Sequence, residues 1–320
     1  MTGKKIIVTG GAGFLGKHIV SQLEAQGNEV FVTRSAEYNL ESKEATDSMY
    51  EKCLSEWGKI DIVIHAATDI GGIGYSSSHS ASQFYSNTLI NLNTVHGAYQ
   101  YGVSKFVGIG SVCEYPAVTP CPFKEEELWN GYPVVSNDAY GLTKRMLLAQ
   151  CVAYERQYGF HFVHLLPVNM YGPGDDFDLE NSHVIPALIR KIAYAIDHGQ
   201  NAVEVWGTGY ESREFIYIED VAEAVIMAAD KYESGEPVNI GSGQEIQMRE
   251  LADILKELMN YKGEFKYLDN GLGGQVRRLL DVSKAEKEFG FRAKTDFRAG
   301  LEKTIKAFYA NREKIEKCGR

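Results

Sequence analysis

Nothing in this sequence stays apolar long enough to span a bilayer, and the N-terminal Ile6-Ile7-Val8 run, halted by glycines, is too short for a signal peptide. Cysteines are few. The five, at positions 53, 113, 121, 151 and 318, form an odd set without a CxxC pair. That pattern argues against a disulfide framework or a metal site and suits reduced thiols in a cytoplasmic protein. Basic residues are in deficit, 33 against 43 acidic ones, for a net charge of −10. Nucleic acid and anionic membranes are therefore poor partners, and a phosphorylated ligand would need a local cationic pocket. Repeats, low-complexity stretches and obvious linkers are also missing. What is present, 44% hydrophobic and 24% charged residues over 320 positions, is the balance of a globular protein with one large domain or two sharing a core.

Strand and helix patterns alternate along the first half. Lys5 to Val8 reads as a buried strand, Phe14 to Gln26 as a helix closed by Gly27, and Glu29 to Thr33 and Ile60 to His65 as two further strands. A long helix is expected within Ser82 to Tyr101, then strands at Phe106 to Gly110 and Phe162 to Leu166. Between these strands, Ser136-Asn137-Asp138 offers capping oxygens to a helix reaching about Tyr158, with Gly159 just beyond. Such alternation predicts an α/β fold with a parallel sheet covered on both faces. After Pro167 the texture changes to turns, a helix from Val184 to Asp197 and short elements, which suggests a second layer over the carboxyl edge of the sheet. Phe215 to Ile218 and Val238 to Ile240 are expected to return to the first domain.

Two local patterns carry chemistry. Gly10-Gly11-Ala12-Gly13-Phe14-Leu15-Gly16 follows a strand and opens a helix. Gly10 would make the tight turn, Gly13 would admit a pyrophosphate, and Gly16 would let helix and strand pack, with helix amides facing the anion. The second strand ends in Arg34 and not in an acidic residue, which favours NADP(H) through its 2′-phosphate and leaves NAD(H) possible. Tyr140 and Lys144, four apart on a predicted helix, lie on one face about 6 Å apart along the axis. The ammonium is expected to draw the phenol's pKa down from about 10 and to bond the nicotinamide ribose. Ser111, at the end of the fourth strand, is placed to share a substrate oxygen with Tyr140.

The chain resembles the extended short-chain dehydrogenase/reductases and, among them, the GDP-L-fucose synthases. The resemblance runs over nearly all of it, through His65-Ala66-Ala67 with Gly71-Gly72-Ile73, Gly110-Ser111-Val112-Cys113-Glu114-Tyr115-Pro116 and Pro167-Val168-Asn169-Met170-Tyr171-Gly172-Pro173. More specific are Asn181-Ser182-His183-Val184-Ile185-Pro186-Ala187-Leu188-Ile189-Arg190, and Val205-Trp206-Gly207-Thr208-Gly209 leading to Arg213-Glu214-Phe215. It implies a Rossmann-type doubly wound parallel sheet with a smaller, discontinuous α/β substrate domain. The first would hold residues 1–168 and about 214–240, the second 169–213 and 241–320.

It further implies that Phe14, Leu15, Ala66, Ala67 and Pro167 join the glycines around the cofactor. Cys113 would be the base and His183 the acid that invert C3 and C5 beside a 4-keto group. A free thiol is only a few per cent ionised at neutral pH, so Cys113 would need about 2 kcal/mol of help from nearby positive charge. Asn169, Val184, Lys191, Trp206, Arg213 and Arg278 would contact a GDP-sugar. Trp206 could equally stack on the base or fill the core, and Arg190, Lys191, Arg213, Arg277 and Arg278 could supply the cationic pocket. A homodimer through the helices containing Asn91 and Tyr140 is also implied. The chain departs from the family pattern at Ala12, Val112 and Lys191, which allows a related 4-keto GDP-sugar such as a deoxyheptose. An NAD-dependent nucleotide-sugar 4-epimerase, a 4-reductase without epimerisation, and a non-catalytic dinucleotide sensor are the competing readings.

Overall fold

The structure, a computed structural model, describes residues 1–268 and 275–318. From the N-terminus come β1 (Lys5–Thr9), α1 (Phe14–Ala25), β2 (Glu29–Val32), α2 (Lys43–Trp57), β3 (Ile62–His65), α3 (Ile73–Ser78), α4 (Ser80–Gln100), β4 (Lys105–Ile109), α5 (Asp138–Tyr158) and β5 (Phe162–Pro167). There follow β6 (Asn169–Tyr171), α6 (Val184–Asp197), β7 (Ala202–Trp206), β8 (Ser212–Tyr217), α7 (Ile218–Lys231), β9 (Val238–Ile240), β10 (Glu245–Gln247), α8 (Met248–Leu258), β11 (Glu264–Leu268), α9 (Ser283–Phe289) and α10 (Phe297–Cys318).

Six strands form one parallel sheet in the order β2-β1-β3-β4-β5-β9. Their apolar runs explain this. Ile6, Ile7 and Val8 of β1, like Val63 and Ile64 of β3, are wholly buried, as only a strand covered on both faces can be. Each such side chain contributes about 1.5–3 kcal/mol. Helix α1 packs against α7, and α4 against α5. The 21 residues of α4 include no Asp, Glu, Lys or Arg, although Phe84, Tyr85, Leu92 and Tyr99 on it are solvent-facing.

A second, smaller core gathers Ile185 and Leu188 of α6, Val203 of β7, Leu251 of α8 and Phe308 of α10. It is served by a three-stranded sheet, β10-β8-β6, and the parallel pair β11-β7. Two expectations change here. Val238–Ile240 does join the large sheet, but the strand at Phe215 pairs with β6 and β10 instead, because Asn169 and Met170 continue past Pro167 into a strand of their own. The C-terminal stretch is also divided between the lobes: Leu280, Ala285, Phe289 and Phe291 pack into the large core. Strand β8 lies between the two cores, Ile216 belonging to one and Phe215 and Tyr217 to the other.

Candidate active site

The chain leaves β1 towards β2 on one side and β3 towards β4 on the other, so the glycine loop after β1 opens at the point where strand order reverses. Gly10 adopts φ +68°, and a Cβ there would stand 2.7 Å from the Ala67 nitrogen. At Gly16 a Cβ would overlap the Gly10 carbonyl oxygen, so helix and turn touch through bare backbone. Gly13 occupies the N-cap of α1 and no side chain caps the helix, leaving the first-turn amides of Phe14, Leu15 and Gly16 available to an anion. Ala67 donates its N–H to Thr9 Oγ1 at 3.3 Å, and Pro167 closes β5 in a buried position. Arg34, two residues beyond β2, is exposed beside this loop. The cradle suits a dinucleotide pyrophosphate.

At the end of β4 the chain makes a single tight turn, Val112–Glu114, that Ser111 caps. Ser111 Oγ accepts from the Cys113 N–H at 3.1 Å, and the Glu114 carboxylate accepts from the Ser111 N–H at 2.8 Å. Glu114 is fully buried, and His164 Nε2 lies 3.1 Å from each of its carboxylate oxygens. Arg145 Nε donates to the Glu114 carbonyl at 2.6 Å. On α5, a Cβ at Gly141 would overlap the Cys113 carbonyl, so this helix lies directly against the turn. Tyr140 is thereby buried within reach of the Ser111 and Thr68 hydroxyls.

Lys144 does not act on Tyr140 in the way the spacing suggested. Burial pushes the phenol's pKa well above its ordinary value, electrostatic repulsion from the Cys113 and Glu114 side of the site adds to this, and hydrogen bonds with Thr68 and Ser111 oppose it. Lys144 Nζ stands 5.7 Å from the ring centre and donates to the Ile109 carbonyl at 2.9 Å. Its own pKa is brought down to about 8 by burial, with Glu114 opposing. The spacing was right; what it could not reveal is that both groups are desolvated.

Beside Tyr140 opens a cleft of about 410 Å³ between the lobes, lined by Cys113, Tyr140, Asn169, His183, Val184, Lys191, Trp206, Arg213 and Arg278. At one side of it the Gly72 N–H donates to the Asn181 carbonyl at 2.5 Å. His183 takes the N-cap position of α6 and lines the cleft, where desolvation by burial lowers its pKa and Asp176 opposes. Asn169 Nδ2 donates to the Glu214 carbonyl at 2.9 Å. Trp206 is 51% exposed, so it is not core, and Lys191 Nζ sits 5.5 Å from its ring centre while donating to the Glu204 carbonyl.

Arg213 and Arg278 share Gln275. The first donates to its carbonyl at 2.7 Å and the second to its Oε1 at 3.1 Å. Burial and the neighbouring Arg278 charge bring the Arg213 pKa down to about 10. Arg190 and Arg277 are engaged elsewhere, the one with the Phe177 carbonyl and the other in an exposed ion pair with Glu245. Cys53, Cys113, Cys121 and Cys151 are free thiols, and the Cys318 side chain lies outside the described residues.

Sequence reasoning gave no site role to Glu114, Thr68, Asn137 or the Ile70–Ser76 wall of the cleft, although it named Asn137 as a capping candidate and Gly71-Gly72-Ile73 as a stretch carrying the resemblance. Glu114 also had a legible signal, since Ser111-Val112-Cys113-Glu114 has the S-x-x-E spacing of a capping box. Residues 6–241 match the model of the NAD dependent epimerase/dehydratase family. GDP-L-fucose synthase 1 of Arabidopsis thaliana is 36% identical over 96% of this chain and 94% of its own length. Among solved structures, a GDP-6-OMe-4-keto-L-xylo-heptose reductase from C. jejuni superposes with a TM-score of 0.87 at 26% identity, covering 98% of this chain and 99% of that one. A GDP-L-fucose synthetase from Naegleria fowleri, bound to NADP, gives the same TM-score and identity over 98% of this chain and 96% of its own. With a family model matching most of its length and curated relatives of this identity and coverage, the chain belongs to the NAD dependent epimerase/dehydratase family, in the group of the GDP-L-fucose synthases.

Proposed function

We propose that the protein is an NADPH-dependent epimerase-reductase of a GDP-linked 4-keto-6-deoxy sugar, acting in the cytoplasm. The observation that carries this is convergence: a thiol, an imidazole and a phenol open onto one cleft that also holds two arginines. Bound in the crevice, the reduced nicotinamide supplies the hydride that adds at C4. Arg34 would meet the 2′-phosphate of the cofactor, and the α1 amides its pyrophosphate. Arg213 and Arg278 would grip the substrate diphosphate while Trp206 offers a face to the guanine.

The 4-keto group acidifies the hydrogens on C3 and C5. Cys113 Sγ takes such a proton, the electron pair moves onto the carbonyl oxygen, and His183 returns a proton from the opposite face. Tyr140 then gives its proton to O4 as C4 is reduced, and Lys144 and Ser111 steady the phenolate that results. Incubation with GDP-4-keto-6-deoxymannose and NADPH in deuterated water tests the sequence of steps. Reduction at C4 with deuterium at C3 and C5 is the expected product. Reduction without deuterium would make the enzyme a plain 4-reductase, and turnover without net NADPH consumption would make it a 4-epimerase.

The same reading includes a homodimer. Tyr85, Leu92 and Tyr99 repeat every seven residues on the uncharged α4, so they form one stripe, and the partly exposed Tyr158 of α5 stacks on Tyr99 with ring centres 4.2 Å apart. A 21-residue surface helix with no charge suits a second copy better than water. Sedimentation should give twice 35.6 kDa, and Leu92→Asp with Tyr99→Asp should give the monomer. A wild-type protein that sediments as a monomer at tens of micromolar would refute this.

A further inference from the structure

Asn137 sits where α5 would be capped, with φ −146° and ψ 25°, yet its side chain caps nothing. Asparagine is among the best N-cap residues, and such a bond is worth about 1 kcal/mol, so its omission needs a cause. The side chain turns instead to the thiol. Asn137 Nδ2 donates to Cys113 Sγ at 3.1 Å. Its Oδ1 is buried without a hydrogen-bond partner. An orphaned carbonyl of this kind is itself unfavourable by about 1–3 kcal/mol. The idle cap and the orphaned Oδ1 are one forgone contact, left unmade while the amide is held at the sulfur, and Asn137 also lines the cleft beside Cys113 and Tyr140.

We infer that Asn137 is a positioning residue for Cys113, aiming the sulfur into the cleft and favouring its ionised form. The inference deepens the proposed epimerase chemistry and rests on the reading of Cys113 as base. A thiolate can only accept, so it takes the Nδ2 hydrogen. Once a substrate C–H bond has broken and its proton has gone to sulfur, the neutral thiol becomes a donor. A half-turn of the amide then presents Oδ1 to the S–H. One side chain thus partners both states through which the base must pass, and the acceptor left idle in one state is used in the other. The sequence reading sought a nearby positive charge to ionise the thiol; a neutral amide dipole does that work without adding a charge next to the phosphate-binding arginines.

The test needs no substrate. Iodoacetamide labelling of Cys113 in the intact protein, read by peptide mass spectrometry across a pH series, is compared among wild type, Asn137→Ala and Asn137→Ser. Both variants should label Cys113 about tenfold more slowly at pH 7, with the profile displaced to higher pH, as expected for losing one hydrogen bond to a charged group. A change of access would scale the rate equally at every pH, so displacement of the profile separates the two effects. Cys121, on a different segment against Leu279, is the internal control. Asn137→Ser can cap α5, so its melting temperature should hold or rise and loss of fold is not confounded with loss of the contact. Unmoved Cys113 profiles in both variants would overturn the inference. Displaced profiles, together with a wild type that incorporates no deuterium from solvent into a 4-keto GDP-sugar, would uphold the Asn137 contact and remove the epimerase reading.

Discussion

Tyr140→Phe should cut NADPH consumption with a 4-keto GDP-sugar by about a thousandfold, within the range for losing a positioned general acid. Deuterium exchange at C3 and C5 should persist within a few-fold of wild type, because Cys113 and His183 are untouched. The buried environment makes the expectation sharp. Phenylalanine fills the same 5%-exposed volume, so substrate and cofactor binding should change little. Desolvation keeps the phenol protonated at rest, which is the state a proton donor to O4 must start from. The Lys144 ammonium, still largely charged at neutral pH with a pKa of about 8, waits 5.7 Å from the ring for the negative charge left behind. Stopped-flow absorbance for reduction and mass spectrometry for exchange read the two halves separately. Reduction surviving above a tenth of the wild-type rate would mean that another group supplies the proton.

Arg213→Met should raise KM for the GDP-sugar about a hundredfold while leaving kcat within a few-fold and NADPH affinity unchanged. The magnitude follows from losing charge-assisted bonds worth about 1.5–3 kcal/mol each, where 1.4 kcal/mol is a tenfold change. Arg213 and Arg278 stand together in a protein of net charge −10, and the proximity of Arg278 is one cause of the depressed Arg213 pKa. Two like charges held together in a partly dry cleft are an arrangement that a dianion relieves. GDP alone should therefore raise the melting temperature of the wild type and do so far less in Arg213→Met. The methionine keeps an apolar stem against the cleft wall and removes the repulsion from Arg278, which offset the lost bonds to the Ser212 and Gln275 carbonyls, so the ligand-free variant should melt within a few degrees of the parent. An equal GDP-induced rise in both proteins would take the diphosphate away from this pair.

Much of this was legible in the chain because it is local. The glycine turn, the strands around it and the tyrosine four residues before the lysine depend on backbone conformation within a few positions, and they stand where the pattern put them. Cys113, His183 and the six GDP-sugar contacts implied by family resemblance line one cavity, whereas Arg190 and Arg277 do not. What went unread was non-local. Lys43–Trp57 is a helix that was not read, although Thr46, Met49, Tyr50 and Cys53 form its buried face. The sheet that receives Ser212–Tyr217 is decided by partners distant in the chain on both sides, Asn169–Tyr171 before it and Glu245–Gln247 after it. The direction of the Tyr140 shift depends on burial, a property of the assembled protein. Glu114 had a readable cap spacing, yet its partner His164 lies 50 residues further on. Asn137 was expected to cap α5, and it became informative by failing to do so.

Strand β8 has a mechanical meaning. Its residues alternate between the cores, Ile216 on one side and Phe215 and Tyr217 on the other, so tilting it would open voids in two close-packed interiors at once. The lobes therefore cannot swing like leaves on a pin. Arg213 lies on this same strand, so the stretch of cleft wall that carries its guanidinium is anchored in both interiors and is held as stiffly as they are.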